Sequence, residues 1–241
     1  MEIRRSDGLT GQDVAVQAGH TRGHRRSPED LVRVLRAKGI RDRRVLAAFR
    51  AVPRARFVPP AAAGQAYLDE PIRIPHGQVT TQPSLVAGMV AALGLTGTER
   101  VLEVGTGLGF QTAILACLAG EVISVERFPA LAEQARVNLA AAGLSRVTVV
   151  VGDGTLGASD YAPYQAIVVA AASPQVPWPL VEQLTPGGRL VHPVGPGGRE
   201  QVTAFHKEAG QLVADARLTR AYFVPLVGSH GLRSREDGDE R

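Results

Sequence analysis

Three carboxylates stand where short apolar runs end or turn. Glu103 lies within residues 101–104, two positions before the turn Gly105-Thr106-Gly107-Leu108-Gly109. Glu126 follows the apolar residues 122–125, and Asp153 sits between Gly152 and Gly154, just past residues 147–151. Glycines permit positive φ and let backbone approach a ligand with no Cβ in the way. An acid 21 residues beyond the first glycine suits two ribose hydroxyls, as in nucleotide-binding βαβ units. Asp153, beyond a strand end, is placed to accept from an adenine amino group, although an acid between glycines also makes a plain turn.

The glycine spacing is G-x-G-x-G rather than G-x-G-x-x-G, and Glu103 would repel a pyrophosphate. It could instead hydrogen-bond or pair with an ammonium group. S-adenosylmethionine has no phosphate and carries both an ammonium and a sulfonium, which makes it the expected cofactor. The pattern E-x-G-x-G-x-G resembles the first motif of the Rossmann-like methyltransferases. A second polar cluster, His76-Gly77-Gln78-Val79-Thr80-Thr81-Gln82, immediately precedes Pro83. Hydroxyls and amides there could cap a helix or face a ligand.

The elements that must position these groups follow from periodicity. Residues 101–104, the glycine turn, a helical run over 111–118 and a strand over 122–125 form one βαβ unit. Ser27-Pro28-Glu29-Asp30 is a helix start, with serine at the N-cap, proline at N1 and acids in the first turn. A second helix spans about residues 42–51, and a third begins at Pro83 with Leu85, Val86, Met89, Val90 and Leu93 as its face. Residues 129–142 read as a helix, and 147–151 as a strand covered on both faces. A strand over 166–170, a helix over 178–184 and a strand over 189–194 come next. A closing pair of strands ends at Phe223, with Glu208-Ala209-Gly210 as a hairpin turn.

Composition narrows the classes. The chain of 241 residues has 44% hydrophobic and 21% charged residues, ordinary for one sizeable globular domain. No run approaches a membrane span or a secretory signal, so no membrane partner is expected. The single cysteine, Cys117, reads as a small packed hydrophobe, and no metal-ligand cluster is visible. The net charge of +4 comes almost wholly from arginine, with Lys38 and Lys207 the only lysines, and without aromatic interleaving. Nucleic acid is therefore not an expected partner.

From about Leu31 to Leu226 the chain resembles the protein-L-isoaspartate O-methyltransferases. The markers are Gly39-Ile40-Arg41-Asp42, Val52-Pro53-Arg54 with Phe57-Val58-Pro59, Ala66-Tyr67, Gly77-Gln78 and Gln82-Pro83. The glycine turn with its flanks, Ser124-Val125-Glu126, Gly152-Asp153-Gly154, Gly187-Gly188-Arg189-Leu190-Val191 and Phe223-Val224-Pro225-Leu226 complete them. The resemblance implies an α/β fold: a Rossmann-like, mostly parallel doubly wound sheet with antiparallel C-terminal strands and an N-terminal helical subdomain. Residues 1–26 would be an extension, 27–95 the helical, substrate-side part, 96–228 the core and 229–241 a loose tail.

The same resemblance implies methyl transfer from S-adenosylmethionine to isoaspartyl carboxylates of aged proteins, a cytoplasmic repair activity of a monomer. It makes Thr81 the catalytic hydroxyl. Cofactor contacts fall to Thr80, Glu103, Gly105, Thr106, Gly107, Gly109, Thr112, Glu126, Asp153 and Gly154, and substrate contacts to His76, Gln78, Val79 and Phe223. Departures lie in one segment. Where the family usually reads G-Q-T-I-S-Q-P, this chain has Gly77-Gln78-Val79-Thr80-Thr81-Gln82-Pro83, and Pro75 replaces a usual glycine. Methylation of a normal aspartate in a dedicated peptide, or of a small molecule or RNA, is the alternative.

Overall fold

The apolar runs 101–104, 122–125 and 166–169 become neighbouring strands because each is buried on both faces. The computed structural model describes residues 26–232. The expected extension, apart from Arg26, and residues 233–241 lie outside the described residues. Before the main sheet come helices α1 (Pro28–Ala37), α2 (Arg43–Ala51) and α3 (Pro83–Ala92), with a two-strand ribbon of β1 (Ile72–Arg73) and β2 (Val79–Thr80). Strands β3 (Arg100–Val104), β4 (Glu121–Glu126) and β5 (Val147–Val151) then alternate with helices α4 (Phe110–Ala116) and α5 (Pro129–Ala141). Strand β6 (Tyr164–Val169), helix α6 (Trp178–Gln183) and strands β7 (Leu184–Val194), β8 (Arg199–Glu208) and β9 (Gln211–Tyr222) complete the described chain.

The main sheet runs β5-β4-β3-β6-β7-β8-β9, parallel through β7 and antiparallel thereafter. Successive side chains on a strand alternate faces. Val101, Val122, Ala166 and Val168 accordingly enter one core, and Leu102, Ile123, Ile167 and Val169 the other. The first core continues without a break into Leu31, Leu35, Phe49, Met89 and Val90, so the N-terminal helices share the sheet's core. Phe49 packs edge-on against Phe110 of α4, with centroids 5.6 Å apart. The chain builds outward from β3 to β5 and returns to β6 on the other side of β3. That reversal opens a crevice beyond the carboxyl ends of these strands.

Several local expectations hold for visible reasons. Ser27 and Asp30 form a capping box at α1. Ala209 and Gly210 both take positive φ, +47° and +82°, as a two-residue hairpin with the twist of its strands requires. Others are corrected. Strand β5 is the sheet edge and is only partly covered, with Val151 41% exposed. Cys117 lies just past α4 and is exposed rather than packed. The tail does not begin at Ser229: Ser229 and His230 donate backbone N–H groups to Asp153 and Thr155, and Leu232 donates to Leu226. Among the described residues no helix is long and apolar enough to cross a membrane.

Between α2 and α3 the backbone has little regular structure, so its carbonyls need donors from elsewhere. Arg54, with no exposed surface, supplies them. Its Nη1 donates to the carbonyls of Ala66 and Leu68 at 3.1 and 3.0 Å. Its Nη2 donates to the Glu70 carbonyl at 3.0 Å, the Thr80 hydroxyl at 2.9 Å and the Thr81 carbonyl at 3.4 Å. Burial lowers the guanidinium to about 10, opposed by Asp69, so it remains charged at neutral pH. Asp69 in turn accepts from the backbone of Ser84 at 2.7 Å and from Gln82, and pairs with Lys38 at 2.9 Å. A carboxylate distant in sequence thus caps α3.

Arg54→Met keeps most of the volume and removes every donor. Each buried acceptor left without a partner costs about 1–3 kcal/mol, so urea denaturation should show a loss of about 3 kcal/mol or more. A loss within experimental error would mean that the loop stands without this cation.

Candidate active site

Beyond the ends of β3, β4 and β6 lies a cleft of about 840 Å³, counting its open mouth. Its floor is Val104 and Gly105 at the end of β3, Val125 and Glu126 at the end of β4, and Ala170 and Ala171 just after β6. The ribbon contributes Ile74, Gln78, Val79, Thr80 and Thr81 from above, and the stretch 224–227 closes one side. Two glycines of the turn are required by conformation and space. Gly105 has φ +96°, and a Cβ there would stand 3.3 Å from the Ala170 Cβ. Gly107 has φ +56° and faces Ile74 across the cleft. Gly109 serves a different need, letting the start of α4 approach Leu139 and Ala135 of α5.

Glu126 lies on the cleft wall, nearly buried, with its carboxylate already anchored. Oε2 accepts from the Gly107 N–H at 2.8 Å and Oε1 from the Phe128 N–H at 3.0 Å. A carboxylate offers about four lone-pair sites, so acceptor capacity remains for hydroxyls of a ligand. Gln111, the second residue of α4, also lines the cleft, and its buried amide lies beside Glu103, where it favours that carboxylate although no hydrogen bond of full geometry forms.

The other two acids are placed differently from expectation. Glu103 is fully buried beneath the cleft and is not on its wall. Its Oε2 accepts from Thr112 at 2.5 Å and from Ser124 at 2.6 Å. Ser124 therefore receives from Thr106, at 2.6 Å, giving a chain of hydroxyls that runs from the cleft to Glu103. Thr106 touches the cleft; Thr112 does not, and its hydroxyl belongs to Glu103. Asp153 also lies off the wall. It accepts from the backbone and hydroxyl of Thr155 and from the Ser229 N–H at 2.7 Å, pinning the segment after β9. Burial pushes its carboxyl up, but the Ser229 and Thr155 donors outweigh this and hold it below the usual range. Its neighbour Gly154 does line the cleft, where a Cβ would collide with Val104.

Of the polar cluster, Thr80 and Thr81 divide the work. The Thr80 hydroxyl is taken by Arg54. Thr81 is half-buried, and its hydroxyl makes no hydrogen bond to a described residue. Neither threonine caps α3, whose N-cap, Gln82, has no side-chain cap bond. A second depression adjoins the cleft, and Thr81, Val79, Ala170 and Val224 line both. Phe223 lines only the second, and Gln78 only the first. His76 lines neither; it stacks on Phe128 at 4.6 Å, with φ +59°. Arg54, Asp69 and Gln111 were not singled out as site residues. The only sequence signal for Arg54 was its place in the Val52-Pro53-Arg54 block, because its partners lie 12 to 27 residues away.

Burial drives the Glu103 carboxyl up to about 7, opposed by Ser124, Thr112 and Gln111 and aided by the nearby charge of Glu126. A folded value above the ordinary 4.5 means that the folded state holds the proton more tightly. Its contribution to stability is therefore complete below about pH 4.5, falls as pH rises to about 7, and stays lost above. The span corresponds to about 3 kcal/mol. Glu103→Gln keeps an acceptor oxygen and removes the charge. Denaturant titrations at about pH 5 and about pH 8 should show a smaller stability difference in the variant than in the parent. Equal differences would contradict the assignment.

Comparison with known proteins agrees with this geometry. A sequence model of the family described as Protein-L-isoaspartate(D-aspartate) O-methyltransferase (PCMT) matches residues 26–231. A relative named protein-L-isoaspartate O-methyltransferase from Methanoculleus marisnigri is 50% identical over 208 residues, covering 86% of this chain and 94% of its own. One of the same name from Anaeromyxobacter dehalogenans is 53% identical over 191 residues, covering 78% and 91%. A solved protein-L-isoaspartate O-methyltransferase superposes with a TM-score of 0.75 at 29% identity, covering 85% of this chain and 67% of that one. A putative one from Plasmodium falciparum, in complex with S-adenosyl-L-homocysteine, shares the fold with a TM-score of 0.73 at 22% identity, covering 84% and 99%. With its sheet order, glycine cleft and match over nearly all the described residues, the chain belongs to the protein-L-isoaspartate O-methyltransferase family.

Proposed function

We propose that this protein transfers a methyl group from S-adenosylmethionine to the free carboxylate of L-isoaspartyl residues in aged proteins and peptides. The observation that carries the reading is the unbonded Thr81 hydroxyl at the junction of two adjoining cavities. The residues present fit the cofactor. Glu126 has acceptor capacity for ribose hydroxyls, and Gly105 and Gly107 admit close backbone approach. Val104, Val125, Leu226 and Val227 give apolar walls for a base. When bound, S-adenosylmethionine supplies a methyl group on a sulfonium, an electrophile that needs no further activation.

The acceptor carboxylate is ionised near neutral pH, so the site needs orientation and dryness rather than a strong base. Thr81 would donate to one carboxylate oxygen and leave the other free to attack. Arg54 holds the Thr81 carbonyl and the Thr80 hydroxyl, which fixes the segment from which that donor projects. The isoaspartyl methyl ester is a better electrophile than the carboxylate. The following backbone nitrogen then attacks the ester carbonyl and closes a succinimide, the ester C–O bond breaking to release methanol with the amide proton, and hydrolysis of the ring returns some normal aspartyl bonds. The reading also includes monomeric action and no nucleic-acid partner.

Two variants test the assignments separately. Glu126→Ala removes a charged acceptor worth about 1.5–3 kcal/mol, so calorimetry should show S-adenosylmethionine affinity falling by at least tenfold, to about a hundredfold. Unchanged affinity would reject Glu126 as the ribose acceptor. Thr81→Val keeps the β-branched shape and deletes the donor. Turnover of an isoaspartyl peptide should fall by about one to two orders of magnitude, with cofactor affinity and thermal midpoint nearly unchanged, while Thr81→Ser retains activity. Full specific activity in Thr81→Val would end the catalytic role. Assaying the same peptide with a normal aspartate decides between the isoaspartyl reading and a dedicated aspartyl substrate.

A further inference from the structure

The depression beyond Thr81 has a charge pattern that the methyl-transfer reading does not use. Its twelve lining residues include Arg199 and Arg220 and no acid. In the β8–β9 ladder Arg199 faces Tyr222, and Gln201 faces Arg220. Directly opposed residues share a face, as do residues two apart on one strand. Arg199, Tyr222 and Arg220 therefore project from the same side, with the tyrosine next to each cation and 74% exposed.

Neither guanidinium lies within ion-pair distance of a carboxylate among the described residues. Arg199 uses one N–H on the Arg220 carbonyl, at 3.3 Å, which draws the two strands' basic ends together. The sequence neighbour Glu200 does not neutralise them. It projects from the opposite face, is buried, and accepts from the Phe223 N–H at 3.2 Å. Two unpaired cations beside an exposed aromatic, on the rim of an acceptor groove, suit an anionic side chain on the acceptor.

We propose that Arg199 and Arg220 make the groove selective for isoaspartyl peptides carrying a further Asp or Glu within about three residues of the isoaspartyl, the reach of an extended chain along the groove. This deepens the isoaspartyl reading and rests on it. The arginines do not hold the reacting carboxylate. A bidentate guanidinium clamp would engage both oxygens and lower the nucleophilicity of the one that must attack, and the free Thr81 hydroxyl already lines both cavities. An arginine-bound flanking acid instead anchors the peptide and delivers the reacting group to Thr81. Recognition of this kind acts on KM, since the contact exists before and during transfer alike.

The test uses the full chain and isoaspartyl peptides of one neutral sequence, with Glu or Lys placed two residues before or after the isoaspartyl. At low salt, kcat/KM for a Glu peptide should exceed that of the neutral one by about three- to tenfold, mainly through KM, with the Lys peptide lowest. Raising the salt should compress the ratio. In Arg199→Glu/Arg220→Glu the order should invert, the ratio between peptides rather than the absolute rate being the readout. Both positions are exposed, and a thermal midpoint matching the parent establishes folding. Equal kcat/KM for all peptides, or a Glu preference that persists in the double variant, would overturn the selectivity alone. No turnover of any isoaspartyl peptide would overturn the methyl-transfer reading and the selectivity with it.

Discussion

The site depends first on one buried cation. Residues 66–81 cross from the N-terminal helices to the cleft with only a short ribbon for regular structure, leaving carbonyls that no helix or sheet satisfies. Arg54 gathers the carbonyls of Ala66, Leu68, Glu70 and Thr81 and the Thr80 hydroxyl around one planar guanidinium. Five donors in a fixed fork suit that task as an ammonium would not. Its stem places the charge near the Phe110 ring, 5.3 Å from the centroid, at the start of the helix that follows the glycine turn. The same residue thereby couples the loop bearing Thr80 and Thr81 to the helix beneath the cleft.

Arg54 also decides which threonine remains free. Thr80 points inward and is buried, and its hydroxyl is committed to the guanidinium. Alternation along the strand turns the next side chain the other way, so Thr81 reaches the wall shared by the two cavities. One committed hydroxyl and one free hydroxyl, in adjacent positions, follow from a single cation and a two-residue strand.

Legibility from sequence tracked the range of the interactions involved. The βαβ unit, the capping box at α1 and the Ala209-Gly210 turn rest on contacts within a few residues, and their types alone specify them. The place of Glu126 on the cleft wall was legible for a related reason, since strand, turn and acid form one contiguous pattern. Glu103 and Asp153 had the same outward signature, an acid beside glycine near a strand end. What separates them is which partners arrive. Ser124 comes to Glu103 from the neighbouring strand, and Ser229 comes to Asp153 from 76 residues away. No local pattern announces either partner, so the sequence did not show that these two acids lie off the cleft wall. The exposure of Cys117 and the edge position of β5 were hidden likewise, because apolar runs do not say where a sheet stops.

The altered segment of the ribbon has a physical consequence of its own. Val79 lines both cavities and is 38% exposed, so a hydroxyl at that position would face ligand space rather than protein. With valine there, one donor is missing from the shared wall, and orientation of an acceptor carboxylate falls more heavily on Thr81 and on the groove beyond. A donor lost at the reacting end can be offset by contacts at a distance, since binding energy from remote parts of a substrate helps to position its reacting group. Arg199 and Arg220, without an ion-pair partner among the described residues, lie in the groove that would supply such contacts. Val79 and the basic residues at positions 199 and 220 line one groove, in which a peptide held by its flanking charges would need less grip on the reacting carboxylate itself.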